Sequence, residues 1–140
     1  MIITELKQLK RKCTPVKTLD EGLKIGEKLF KSLKAENSGV GLAANQIGID
    51  ARVCVIKAVQ PLVLVNPVIT GKFDKITFYE GCLSFPGDYI LTERYANIAV
   101  KADNHNRTLF FSSEKNLLEC VCVQHEIDHL DGIVMHDRRV

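Results

Sequence analysis

No stretch of this 140-residue chain approaches eighteen consecutive apolar residues, and no short apolar core follows its basic start. Neither membrane insertion nor secretion is therefore expected, and the expected location is the cytosol. The chain also lacks a C-x-x-C pair, and its five cysteines, Cys13, Cys54, Cys82, Cys120 and Cys122, are odd in number. This argues against a disulfide framework and for reduced thiols, one of which could serve as a ligand. Nine glycines and four prolines are scattered, no segment repeats, and no biased tract suggests disorder. Net charge is only +2, too small to identify a partner by itself.

What is present is an ordinary globular composition, 46% apolar and 26% charged. That is enough for one domain with a real core and too little for two, so residues 1–140 read as a single unit. The charge is uneven. Residues 1–36 hold nine Lys or Arg against five acids, and the remainder ten against twelve. A basic N-terminal face could meet nucleic acid, but a solvated helix surface is the plainer account, and neither DNA nor a membrane is expected as a partner.

Residues 1–17 are basic, and Pro15-Val16 reads as an extended lead-in. Thr18 followed by Glu21 has capping-box spacing, and Leu23, Gly26, Leu29, Phe30 and Leu33 recur at helical intervals, which predicts an amphipathic helix over 20–35 ended by Asn37-Ser38-Gly39. The run Gly39-Val40-Gly41-Leu42-Ala43-Ala44-Asn45-Gln46 permits close backbone approach to another chain or a ligand, or else forms a tight helix-to-strand turn. Segments 52–56, 62–65 and 73–79 read as neighbouring antiparallel strands, the last following a Gly71-Lys72 turn. Cys82 falls in an irregular, glycine-flanked stretch. Residues from Tyr95 alternate, turn at 103–106 and return over 107–111 as a hairpin. After Ser112-Ser113, a suitable N-cap, the pattern predicts a helix carrying Leu118, Val121, Cys122 and two histidines until Gly132.

That last helix contains His125-Glu126-Ile127-Asp128-His129. On a helix the two histidines stand one turn apart and can grip one metal ion, while Glu126 reaches a water beside it. Histidines merely capped or solvated are the bland alternative. A catalytic site of this type needs a third protein ligand. Gly132 fits the extended pattern of metzincin peptidases, but Met135 stands where their third histidine should fall, and His136 is one residue late. No glutamate follows His129, so the thermolysin-like pattern also fails. Cys122 lies on the histidine face but about 10 Å further along the axis, and Cys120 points elsewhere. Cys82 remains. A thiolate there would suit iron(II) or zinc, although Cys82 taken alone reads as a small buried hydrophobe.

Three segments together resemble the signatures of peptide deformylases: G-V-G-L-A-A-N-Q (Gly39 to Gln46), E-G-C-L-S (Glu80 to Ser84) and Q-H-E-I-D-H-L-D-G (Gln124 to Gly132). Thr14-Pro15-Val16 and Asn66-Pro67 resemble the connecting sequence, so the likeness spans nearly the whole chain. The resemblance implies an α+β fold, with antiparallel β-sheets packed around a central C-terminal metal-binding helix and an N-terminal amphipathic helix. It implies hydrolysis of the formyl group from N-formylmethionyl nascent peptides, with release of formate. One divalent ion is implied, iron(II) physiologically, with zinc, nickel or cobalt able to replace it. By matching motif positions, Cys82, His125 and His129 are the metal ligands, Glu126 is the general base, and Gln46 with the backbone N–H of Leu83 stabilises the oxyanion.

The same resemblance gives Gly41 the task of letting substrate backbone pair alongside. An unbranched methionine chain needs an apolar pocket, for which Val40, Phe78, Leu118, Val121 and Cys122 are the candidates, with ordinary core packing the competing account. Asp128 is a candidate to orient a ligand histidine, and Glu80 to pair with Arg94. The chain stops eight residues after Gly132. It thus resembles the short, phage-encoded members without a C-terminal helix, and the expected setting is a bacterial cytosol, or a host cytosol if the chain is phage-encoded. Many bacterial members carry an arginine where Tyr89 stands, which leaves contacts beyond methionine open. The protein is expected to be a monomer with transient ribosome proximity. Two other readings stay open at this point: a metallopeptidase or other amidase with the same ligands, and a noncatalytic, metal-stabilised binding module.

Overall fold

The computed structural model describes residues 1–37 and 39–140. A four-residue helix, α1 (Leu6–Leu9), lies within the basic N-terminal stretch, anchored by a fully buried Leu9. Helix α2 (Leu19–Lys34) begins where Thr18 accepts a hydrogen bond of 3.1 Å from the Glu21 amide, as the capping spacing predicts. Its buried stripe is Gly22, Gly26, Leu29 and Leu33, whereas Leu23 is 41% exposed. The two glycines set this rotation. A β carbon on Gly22 would lie 2.6 Å from a Val65 methyl, and one on Gly26 2.8 Å from a Val63 methyl, so the helix backbone seats directly on strand side chains. The stop expected at Asn37-Ser38-Gly39 falls just past the last helical residue, and Ser38 itself lies outside the described residues.

The first sheet is antiparallel in the order β1 (Gly41–Ala43), β2 (Val53–Ile56), β3 (Leu62–Val65). All four residues of β2 are fully buried because the sheet is covered on both faces. Val53 and Val55 pack with Leu29 and Leu33 of α2, while Cys54 and Ile56 join the core on the opposite side. The 73–79 segment does not extend this sheet as the sequence suggests. It lies within the longer β4 (Val68–Glu80), which pairs with β5 (Ile90–Lys101) and, through it, β6 (Leu109–Ser112) in a second antiparallel sheet.

The cause of the switch is Asn66. It sits at φ 51°, in the left-handed region. Its side chain clasps the Val16 backbone, accepting from N–H at 2.9 Å and donating to C=O at 3.0 Å, which turns the chain out of the first sheet. The expected turn at Gly71-Lys72 is a register shift between Ile69 and Gly71 inside a continuous strand.

Helix α3 (Leu117–Leu130) is capped by Asn116, which accepts from the Glu119 amide at 2.9 Å; Ser112, one of the expected caps, belongs to β6. Every residue from Cys120 to Leu130 is buried, so the helix is enclosed on all sides by the two sheets. The Gln124 amide binds both the N–H and the C=O of Tyr95 at 2.9 Å, joining the helix to β5. At the C-terminus the last carbonyls need donors. The Cys13 amide reaches the Leu130 carbonyl at 2.8 Å, and Arg52 bonds the same oxygen at 3.3 Å, Asp131 at 2.7 Å and the Pro67 carbonyl at 2.8 Å. Gly132, at φ 74°, then reverses the chain, its amide bonding the His129 carbonyl at 3.0 Å, before a short 3-10 turn over Met135–Arg138. Among the described residues no helix is long and apolar enough to cross a membrane.

Gly132 cannot carry a side chain without strain, since a β carbon would drive into the Lys10 carbonyl as well as occupy a left-handed backbone. Gly132→Ala should lower stability by about 2 kcal/mol or more, read as a reduced midpoint in thermal unfolding.

Candidate metal centre

The middle of α3 presents His125 and His129 one turn apart, with ring centroids 4.8 Å apart, planes at 71° and the two Nε2 atoms separated by 3.2 Å. Cys82 follows directly on the end of β4, and its Sγ lies 3.4 Å from His129 Nε2. The three donor atoms are all within 4.8 Å of one another. One thiol and two imidazoles converging in this way form a donor set for a single divalent transition metal, with a coordination position left for water or substrate.

Further observations fit such an ion. His125 Nδ1 is 2.8 Å from Glu80 Oε1, so the proton belongs on Nδ1 and the Nε2 lone pair faces the other donors. Glu126 Oε1 is buried without a hydrogen-bond partner among the described residues, an acceptor that water or substrate would satisfy; His129 Nδ1, which carries the proton when Nε2 faces the other donors, is likewise unpartnered. The field also favours positive charge at this point. Burial works against an imidazolium at His125, yet Glu126, Cys82 and Glu80 together raise its pKa well above the usual range. His129, buried and beside His125, is held well below it and stays neutral.

Glu80 connects this centre to a buried chain of charges. Arg94 grips both its oxygens, Nε to Oε2 at 2.5 Å and Nη2 to Oε1 at 2.7 Å, and the Thr92 hydroxyl donates to Oε2 at 2.5 Å. Burial alone would raise the Glu80 carboxyl, but Arg94 and His125 outweigh it and bring the pKa down to about 2. Arg94 also donates to Asp128 at 2.5 Å, and Arg138 closes the chain with two bonds to Asp128 at 3.0 and 2.9 Å. The expected Glu80–Arg94 pair is therefore present. Asp128 makes no hydrogen bond to a ligand histidine; its connection to His125 runs through Arg94 and Glu80.

A cleft of about 660 Å³ opens over the donors. It is bordered by Cys82, His125 and Glu126, and by Val40, Gly41, Gln46, Phe78, Leu83, Leu118, Val121 and Cys122, so every residue expected to hold metal, react or meet substrate borders one space except His129, which is fully buried. Gln46 is held in its place at both ends of its amide. Its oxygen accepts from the Ala43 N–H at 2.9 Å, and its nitrogen donates to Ser84 Oγ at 3.1 Å and to Cys82 Sγ at 3.5 Å.

Sequence reasoning missed Ser84, Thr92 and Asn45. Asn45 donates to the His129 carbonyl at 2.6 Å and so fixes the 3-10 turn after β1 (Ala44–Ile47) against α3. Ser84 and Asn45 lie inside the signature strings, and Thr92 shares with Arg94 the inward face of β5, a period-two signal available once that strand's true start is known. Phe85, Asp88 and Tyr89 form part of the rim, with Tyr89 73% exposed.

A buried H-E-x-x-H helix joined by a cysteine from the end of a strand, under an open cleft, defines a mononuclear metallohydrolase site. Within that class the chain belongs to the polypeptide deformylase family, whose model matches residues 2–140. The chain is similar to the peptide deformylase of Neisseria gonorrhoeae, at 40% identity over 129 residues, covering 89% of this chain and 76% of the relative. It is 41% identical over 132 residues to that of Desulfitobacterium hafniense, covering 93% and 87% respectively. The crystal structure of the Thermotoga maritima peptide deformylase superposes with a TM-score of 0.87 at 31% identity, covering 100% of this chain and 97% of that one. The expected α+β fold around a central C-terminal helix is thereby borne out, and the protein is an enzyme of a metal-dependent family.

Arg94 bridges two buried carboxylates, so its loss leaves Glu80 without a guanidinium and Asp128 with Arg138 alone. Arg94→Met should lower stability by about 3–5 kcal/mol in thermal or denaturant unfolding. Metal analysis of the same sample should show reduced occupancy, because Glu80 would no longer be held against His125.

Proposed function

We propose that the protein removes the formyl group from N-formylmethionyl ends of nascent peptides, consuming one water and releasing formate and a free amine. The observation that carries this reading is the convergence of Cys82, His125 and His129 beside the buried Glu126, in a cleft that also holds the oriented amide of Gln46. Cys82, His125 and His129 would hold the ion; the resemblance to peptide deformylases implies iron(II), and the mixed thiolate and imidazole set suits zinc, nickel or cobalt as well. When bound, the ion supplies Lewis acidity toward the attacking water and the formyl oxygen.

The chain's own residues do the rest. Glu126 takes a proton from the water as its oxygen bonds to the formyl carbon, and returns that proton to the amide nitrogen as the carbon–nitrogen bond breaks. Gln46 Nε2 and the Leu83 N–H donate to the oxygen that gains negative charge. Gln46 is fastened through its own carbonyl and through Ser84, so Nε2 needs only to turn its second hydrogen from the long Cys82 contact toward that oxygen. Val40, Phe78, Leu118, Val121 and Cys122 offer the methionine chain an apolar wall, and Gly41 lets the peptide backbone run close alongside.

Iron-loaded protein should release formate from formyl-Met-Ala at least about 100-fold faster than it releases acetate from acetyl-Met-Ala, measured by formate and acetate assay. Cleavage of internal peptide bonds in preference to formyl release would overturn the reading in favour of a peptidase. Glu126→Ala should cut kcat by about 100-fold to 10,000-fold with metal content unchanged. Cys82→Ala should instead lose the metal itself, seen by elemental analysis of protein purified without oxygen.

A further inference from the structure

The carboxylate of Glu126 has one protein hydrogen-bond partner among the described residues. Its Oε2 is 3.8 Å from Cys122 Sγ, one helical turn earlier, and its Oε1 has none. Burial pushes the Cys122 thiol well above its ordinary range, so the sulfur stays protonated and faces the carboxylate as a donor.

Gly41 closes the opposite side. A β carbon there would come within 2.7 Å of both Cys122 Sγ and Glu126 Oε2, and within 3.0 Å of Glu126 Cγ. The strand cannot withdraw to make room, because all of β1 is buried and Gly41 is in register with Ile56 of β2. The thiol and the bare glycine backbone therefore form a slot around Oε2.

Resting on the reading of Glu126 as the general base, we propose that Cys122 and Gly41 are positioning residues for it, seating Oε2 in this slot so that Oε1 alone is free to exchange a proton with water and substrate. Cys122 thus acts through Glu126, beyond its place on the apolar wall. Mere wall residues would affect binding of the methionine chain; positioning residues affect turnover.

The test uses the full chain loaded with iron(II), with kcat and KM measured on formyl-Met-Ala, metal content by elemental analysis, and affinity for the product Met-Ala by calorimetric titration. Cys122→Ala should lower kcat about tenfold or more with metal content unchanged, in addition to the weaker substrate and product binding that losing its part of the wall brings. Cys122→Ser, which keeps a donor, should recover a measurable part of that loss. Gly41→Ala should lower kcat further, by about 100-fold, through collision with Oε2. Equal losses in the Ser and Ala variants, or a loss confined to KM and product affinity, would overturn the positioning role. Wild-type turnover in Cys122→Ala alongside an inactive Glu126→Ala would overturn it while leaving Glu126 as the base. Wild-type turnover in Glu126→Ala would instead remove the reading on which it rests.

Discussion

Five polar or ionisable side chains, Gln124, His125, Glu126, Asp128 and His129, are buried within a single turn and a half of helix at the centre of the protein. Placing such groups away from water is costly unless each is matched. Much of the structure is arranged to supply those matches. Gln124 is met by the Tyr95 backbone, His125 by Glu80, Asp128 by two arginines, and His129 by Cys82, while the carbonyl of His129 is met by Asn45. The partners come from the 3-10 turn after β1, the end of β4, the middle of β5 and the chain's last turn. Sequence-distant segments are thereby tied to one helix.

The register of the second sheet is what allows this. Phe78 pairs with Thr92 and Ile76 with Arg94, which puts Thr92 and Arg94 on the face of β5 that looks at α3, with Glu80 at the strand end above them. Thr92 fastens this corner by donating both to the Phe78 carbonyl at 3.1 Å and to the Glu80 carboxylate. A slip of one residue would turn both side chains to solvent, leaving Glu80 buried without its guanidinium and Asp128 with Arg138 alone. The β4–β5 pairing thus serves the electrostatics of the centre as much as it serves the core. The first sheet contributes differently, through the close approach of Gly41 and the bonded amide of Gln46.

How much of this was legible in the sequence depended on the range of the interaction involved. The histidine spacing and the Thr18 cap are local, and local geometry predicts them. The 23/26/29/30/33 stripe on α2 predicted the helix and most of its buried face, departing at Leu23, because Gly22 takes that place by contact with Val65 from a strand some forty residues away. The third strand was placed beside its predecessor because nothing local says that Asn66 adopts a left-handed backbone clasped to Val16. The Ser112-Ser113 cap failed because β6 takes up Ser112 and the later Asn116 caps the helix. Cys82 was suggested by elimination, but its assignment as a ligand rested on the resemblance of three motifs, and the Arg94–Asp128–Arg138 chain had no sequence signal beyond the residues themselves.

The two glutamates that touch the centre show how environment divides roles between identical side chains. Glu80 and Glu126 are each 3% exposed, and burial by itself would raise both. Glu80 receives two bonds from Arg94, one from Thr92 and one shared with His125, and its pKa falls to about 2, leaving it a fixed anion. Glu126 is left with burial as its largest influence and a thiol as its partner, and rises to about 7 despite the pull of His125. The fixed anion suits an orienting role behind His125, and the loosely partnered carboxyl suits the proton exchange proposed for it. Arg94 decides which is which. Its guanidinium reaches Glu80 from the inward face of β5 and not Glu126 from the helix, so the division of labour at the centre follows from the strand on which that one cation sits.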